Sequence, residues 1–148
     1  MLTVRKVLAL LIVALVVAAC SGLSVKSGVY ASVDEARAAG AIEHGWVPDG
    51  LPPGTSDLRE GHLADGGLWG AFSFATAQSA PLQTRLGPEI MTGTLACDAP
   101  GRLEWWPRIL HSPIDVDRVR VTGFHVYRAV GLIYAVNWGQ GRAYYWRG

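Results

Sequence analysis

The last third of the chain alternates with a period of two. Leu132, Tyr134, Val136 and Trp138 fall on one side of an extended backbone, and Ile133, Ala135 and Asn137 on the other. Beyond Gly139-Gln140-Gly141, Tyr144 and Trp146 alternate with Ala143, Tyr145 and Arg147. Successive side chains of a strand point to opposite faces, so this pattern suits a pleated sheet and not a helix. With Val119–Arg128 before them, the two segments read as a three-stranded antiparallel meander tied by aromatic cross-strand pairs.

Upstream, Ser56 to Ala64 and Leu68 to Ala75 flank Asp65-Gly66-Gly67, turn residues that accept positive φ, which predicts a hairpin. In its second arm Leu68, Phe72 and Phe74 share one face while Trp69, Ala71 and Ala75 share the other. An arm apolar on both faces belongs inside a sheet, with something packed on each side. Ser32 followed by Glu35 is a capping box, and Gly40 is a left-handed stop, so a two-turn helix is predicted over 33–39. One or two further turns are expected around Ala80–Leu86. Ile42 to Pro48 reads as a short extended piece, Met91 to Gly101 as loop, and Leu103 to Pro107 as an aromatic island closed by proline. Ile114 to Val121 nearly alternates, but its phase slips between Val116 and Val119, which a turn or bulge at Asp117-Arg118 would explain. The expected fold is α+β: about five strands in an antiparallel sheet, made of the hairpin and the C-terminal three-stranded meander, with one or two short helices. Residues 30–148 form a single globular domain on this reading, and its 18 glycines and 8 prolines across the whole chain fit a loop-rich body.

The N-terminus carries an address. Arg5 and Lys6 precede Val7–Ala19, a run without a polar side chain, and Cys20 follows it. Two cations before a short apolar run match a secretory signal peptide, and the run is shorter than the roughly 20 residues a spanning helix needs. Val17-Ala18-Ala19-Cys20 resembles the bacterial lipobox: an aliphatic residue, two small residues that fit a peptidase site, and a thiol that forms a thioether to diacylglycerol. Residues 1–19 therefore read as a lipoprotein signal peptide, Cys20 as the lipidation site and 20–29 as a lipidated tether. Ser21 is not the acid that would resemble an inner-membrane retention signal. The expected location is the cell envelope, on the periplasmic face of the outer membrane if the cell is Gram-negative. Cys97 is then the one thiol left, and no intramolecular disulfide is expected.

Charge and motifs exclude several activities. Thirteen basic and 12 acidic residues leave no basic excess of the kind nucleic-acid binding needs. The charge is uneven, with three arginines and nine acids over Ser27–Gly101 and seven arginines and three acids over Arg102–Gly148, which reads as two halves pairing across one sheet or, as the alternative, as a bipolar surface that docks a partner or a membrane. There is no Gly-x-Ser-x-Gly elbow, Walker loop or dinucleotide fingerprint. Asp34/Glu35 is explained by capping, and Asp115/Asp117 reads as solvated charge on an exposed strand face. His44, His62, His111 and His125 have no short ligand spacing, so neither a metal nor a cofactor is expected; His44 and His62 meet only if the Trp46 segment runs beside the hairpin. Cys97 stands next to Asp98, which disfavours a thiolate, so it reads as an inert buried thiol.

One polar cluster is left: Asp57, Glu60, His62 and Asp65. On a strand Glu60 and His62 share a face and Asp57 takes the other. The short Pro48–Gly54 connection limits how far Trp46 can lie from the hairpin, and Asp65 sits at its turn. Trp46, His62 and Asp65 are thus a tentative binding surface for an envelope protein or small ligand, or equally a structural brace, and no catalytic residue is assigned. The alternative is a small periplasmic hydrolase using His62 with Asp57, Glu60 or Asp65.

Over Gly40–Phe74 the chain resembles a known family. Ala41-Ile42, Gly45-Trp46-Val47-Pro48, Leu51-Pro52, Asp57-Leu58, His62 with Asp65 after it, and Phe72-Ser73-Phe74 are similar to the YbbD-like head domain of small bacterial lipoproteins. Trp105-Trp106-Pro107 and Ala143-Tyr144-Tyr145-Trp146 fit the same likeness. Gly54-Thr55 and Leu63 depart from it. The resemblance implies a fold and a compartment, and no chemistry. Taken together, the expected protein is a non-catalytic envelope lipoprotein, held to the membrane by its N-terminal lipid. Replacing Cys20 by Ser should abolish membrane association or processing. Mass spectrometry of the wild-type N-terminus checks the reading directly, because an unmodified chain starting elsewhere contradicts it.

Overall fold

The alternating C-terminal segments become the middle of a sheet. A computed structural model describes residues 24–148. Its strands are β1 (Lys26–Ser32), β2 (Ser56–His62), β3 (Leu68–Ser73), β4 (Glu89–Ile90), β5 (Thr94–Leu95), β6 (Ile114–Asp115), β7 (His125–Ala129), β8 (Leu132–Asn137) and β9 (Arg142–Arg147). Three short helices accompany them: α1 (Val33–Ala38), α2 (Ala80–Leu86) and α3 (Val116–Val121). Seven strands form one antiparallel sheet in the order β1-β2-β3-β9-β8-β7-β4, and β5 pairs with β6 apart from it. The last strand, β9, lies between β3 and β8, with Ala71 and Ala135 on either side of Tyr144.

Period-two alternation then gives the sheet a core on each face. Leu58, Leu68, Phe72, Tyr134 and Tyr145 point one way and meet Ala36 of α1 and Leu82 and Leu86 of α2. Trp69, Ile133, Ala135 and Trp146 point the other way, onto Cys97, Trp106, Leu110, Ile114 and Val119. The loop-rich stretch between β4 and β7 covers this second face. Each large side chain fully buried here contributes roughly 1.5–3 kcal/mol, and β3, β8 and β9 supply many of them. One glycine sets how the first face packs. Gly70 pairs with Tyr145, and a Cβ on it would lie 1.9 Å from Tyr145 Cζ. The bare backbone lets the Tyr145 ring lie across β3 and reach the chain beyond α1.

The antiparallel sheet with few, short helices is as expected, but it has more strands than about five. Residues from Lys26 on, expected within the tether, form edge strand β1, which runs antiparallel to β2 from Lys26↔His62 to Ser32↔Ser56. Ile42 to Pro48 is a series of turns and not an extended piece. The strand expected from Val119 is helix α3 followed by β7: Asp115 ends the short strand β6, and its carboxylate accepts from the amides of Asp117 and Arg118 at 3.0 and 3.3 Å, so it caps the helix that Asp117 enters. Val116 and Val119 are one helical turn apart, and both are buried. The Ser32 half of the capping box forms, with Ser32 accepting from the Glu35 amide, while Glu35 reaches one residue past the cap and accepts from the Ala31 amide. The segment read as a signal peptide, and Cys20, lie outside the described residues.

Two buried tyrosines separate hydrogen bonding from packing. Tyr134 is fully buried, and its hydroxyl makes no well-formed hydrogen bond among the described residues; the Arg85 guanidinium is the polar group beside it. The equally buried Tyr145 donates to the Trp46 carbonyl at 2.7 Å. Tyr134→Phe removes a poorly satisfied polar atom and should leave stability within about 0.5 kcal/mol of wild type, whereas Tyr145→Phe should cost about 1–2 kcal/mol. Urea unfolding of both variants measures the contrast, and equal losses would contradict it.

Candidate functional site

Two glycines bracket the segment that builds the site. Helix α1 stops where Gly40 takes φ +79°, and Gly45 takes φ +77° five residues later. Between them the chain folds back so tightly that the Ala41 carbonyl accepts from both the Trp46 and the Val47 amides, at 2.9 and 3.1 Å. That reversal buries Ala41 and Val47 and turns His44 and Trp46 outward along β2. His44 donates its Nδ1–H to the Gly40 carbonyl at 2.7 Å, which fixes its ring plane.

Three flat rings result. Trp46 stacks on His62 with centroids 3.8 Å apart and planes 10° from parallel, and His44 stacks on the indole at 4.5 Å and 15°. The indole is thus the middle plate between two imidazoles. His44 is exposed, Trp46 half-buried, and the His62 side chain 12% exposed.

A buried polar network holds the inner plate. His62 donates Nδ1–H to Glu60 Oε2 at 2.7 Å. Glu60 is only 1% exposed, and its other oxygen accepts from the Tyr30 hydroxyl at 3.3 Å. A Cβ at Gly28 would lie 2.2 Å from that hydroxyl and 2.7 Å from Glu60 Oε1, so a strand glycine makes the room this network needs. Burial, and then the nearby Glu60 carboxylate, push the Tyr30 pKa up. Burial likewise holds Tyr145 well above the ordinary tyrosine range, with Glu60, Tyr134 and Tyr30 adding to the effect. Both phenols therefore stay neutral donors around neutral pH.

The residues singled out from sequence separate into two groups. Trp46 and His62 come together. Asp65 does not join them: it is exposed in the β2–β3 turn, where its Oδ1 accepts from the Gly67 amide at 3.0 Å. Asp57, at φ +46° beside a bulge in β2, pairs with Arg59 and Arg142, each at 3.1 Å. Glu60 alone of the three carboxylates serves His62. Sequence reasoning missed the parts played by His44, Tyr30 and Tyr145; the Gly40–Gly45 bracket was the available signal for the first. Cys97 is buried, and burial raises its pKa to about 11, so it stays a thiol.

With this geometry in place, comparison with known proteins gives one match. The model of the YbbD head domain family matches residues 25–80, so the resemblance read around Gly40–Phe74 is shown over a segment that runs from just before β1 to the start of α2. All three rings, Glu60 and Tyr30 fall inside it; Tyr145 does not. No curated protein and no solved structure matches the chain.

The network makes a stability claim. His62→Ala takes the closest partner from a buried carboxylate and should cost about 2–3 kcal/mol. Adding Glu60→Gln removes the stranded charge and should return about half of that loss. Denaturant unfolding of the two variants tests this, and a His62→Ala protein as stable as wild type would refute the role given to the pair.

Proposed function

We propose that this chain is a lipid-anchored protein of the bacterial cell envelope whose non-catalytic domain binds a partner protein or small ligand through the His44–Trp46–His62 stack. The observation that carries this is the stack itself: three rings held parallel at the surface by hydrogen bonds that lie behind and beside them. Packing alone does not require this arrangement, since aromatic rings reach the core elsewhere in this domain without histidine neighbours. Rigid aromatic surfaces with few free rotors suit recognition, because little conformational entropy is lost on binding. Lipidation at Cys20 and placement on the periplasmic face of an outer membrane are part of the same proposal, resting on the sequence.

One observation favours hydrolysis as the second reading. An imidazole backed by a buried carboxylate is two-thirds of a charge-relay triad. The missing third is a nucleophile: among the described residues, the side-chain hydrogen bond His62 makes is to Glu60, not to a serine, threonine or cysteine. Binding is therefore the stronger reading.

A photo-crosslinking side chain at Glu43, exposed beside His44, tests both in intact envelopes. It should yield a discrete adduct that the same probe at Gln140 does not. His44→Ala removes the outer plate without opening the core and should weaken that adduct about tenfold. No adduct, or one indifferent to His44, refutes the binding reading. Hydrolysis would show instead as turnover lost in His62→Gln and kept in His44→Ala.

A further inference from the structure

The sheet register brings several distant parts of the chain to one end. Lys26 pairs with His62, His62 with Leu68, and Trp69 with Trp146; Arg147 pairs with Leu132, and Leu132 with Ala129. The entry into β1, the β2–β3 turn, the end of β9 and the β7–β8 turn therefore share one end of the sheet. From β1 to β7 that end spans about 24 Å at the usual strand spacing, fanned by the sheet's twist. Chain leading to Cys20 leaves from it. Because β1 begins at Lys26, residues 20–25 can reach about 22 Å at most.

Two features mark this end: an apolar side chain in a strained turn and a set of exposed basic side chains. Val130 takes φ +50° in the two-residue β7–β8 turn and is 85% exposed. Asparagine is the usual choice at that position; a β-branched residue there is both strained and apolar in water. Lys26, Arg128 and Arg147 are exposed at the same end, where Asp65 in the β2–β3 turn supplies negative charge. Arg147 braces that turn by donating to the Gly66 carbonyl. At the opposite end stand Asp34 and Glu35, following Ser32, while Asp57 there is paired with Arg142.

We propose that this end of the sheet lies against an anionic bilayer, with Val130 entering the headgroup layer and Lys26, Arg128 and Arg147 facing acidic lipids. The proposal rests on the lipid-anchor reading, which keeps the end close to the surface. Basic residues near an anionic leaflet are attracted within a Debye length, and an apolar side chain on a stiff turn adds a hydrophobic contact. The domain then stands upright on the membrane with the β8–β9 turn, at Gly139–Gly141, farthest from it.

The test uses the full lipidated chain on vesicles of phosphatidylcholine with phosphatidylglycerol and a nitroxide-headgroup quencher. A polar fluorophore is placed through Val130→Cys or, at the far end, Gln140→Cys. Quenching at 130 should exceed that at 140 by roughly threefold, and should fall toward it in about 0.5 M salt or with Lys26→Glu/Arg128→Glu. Equal quenching at both positions on vesicles that carry the protein overturns the docking and leaves the anchor reading intact. Failure to float with vesicles overturns both. Protection of position 130 that depends on protein density and not on acidic lipid overturns it in favour of a second copy of the chain.

Discussion

Glu60 lies on β2 with 1% of its surface exposed, on the face that also buries Leu58. A carboxylate in such a place costs several kcal/mol unless its charge is met by partners that leave few lone pairs idle. The partners come from three directions: the His62 imidazole two residues on, the Tyr30 hydroxyl from the neighbouring strand, and the space left by Gly28. Those requirements fix the ring plane of His62, and that plane decides where an indole can stack. Trp46 follows, held from its other side by the Tyr145 hydroxyl on its carbonyl. His44 then completes the surface. A charge buried near the edge of the sheet thus orders the three rings outside it.

The same geometry ties the inner ring more firmly than the outer one. His62 and Glu60 are tied to strand backbone, where a shift would break the β1–β2 ladder as well as the pair. His44 hangs from one turn and one carbonyl bond. On the binding reading proposed above, stability rests with the inner ring and recognition with the outer one.

How far the sequence foretold this varies with how local the cause is. Alternation in β3, β8 and β9 is written in each segment alone, and the hairpin and the helix at Ala80–Leu86 follow from turn and spacing signals. Edge strand β1 has no such signature, because Lys-Ser-Gly-Val-Tyr-Ala-Ser is largely solvent-facing and its pairing comes from backbone groups that β2 offers. Around α3, Val116 and Val119 suit a slipped strand or a helical turn equally, and the Asp115 cap decides it. In the site, the nearness of Trp46 to His62 was visible from a short connection. Glu60's burial was not, since it depends on Tyr30 and Gly28, some thirty residues earlier. Asp65 stands at the turn where the sequence puts it, but its carboxylate satisfies that turn instead of joining the rings, a choice that Asp-Gly-Gly makes available locally.

The family match ends near residue 80, yet the fold does not divide there. β9 comes from the last residues and inserts between β3 and β8, so without it β3 would be an edge with Trp69 and Phe72 uncovered. Tyr145, which supports Trp46, belongs to that strand. The acidic first part and the basic second part do meet in ion pairs, Asp57 with Arg142 and Glu89 with Arg120 and His125. These pairs are partly solvated, and such contacts contribute about 1 kcal/mol or less each. Backbone pairing along β9 and the aromatic area it buries are far larger. The two parts are joined by a shared strand and not by their opposite charge, so a surface built inside the matched segment depends on residues well beyond it.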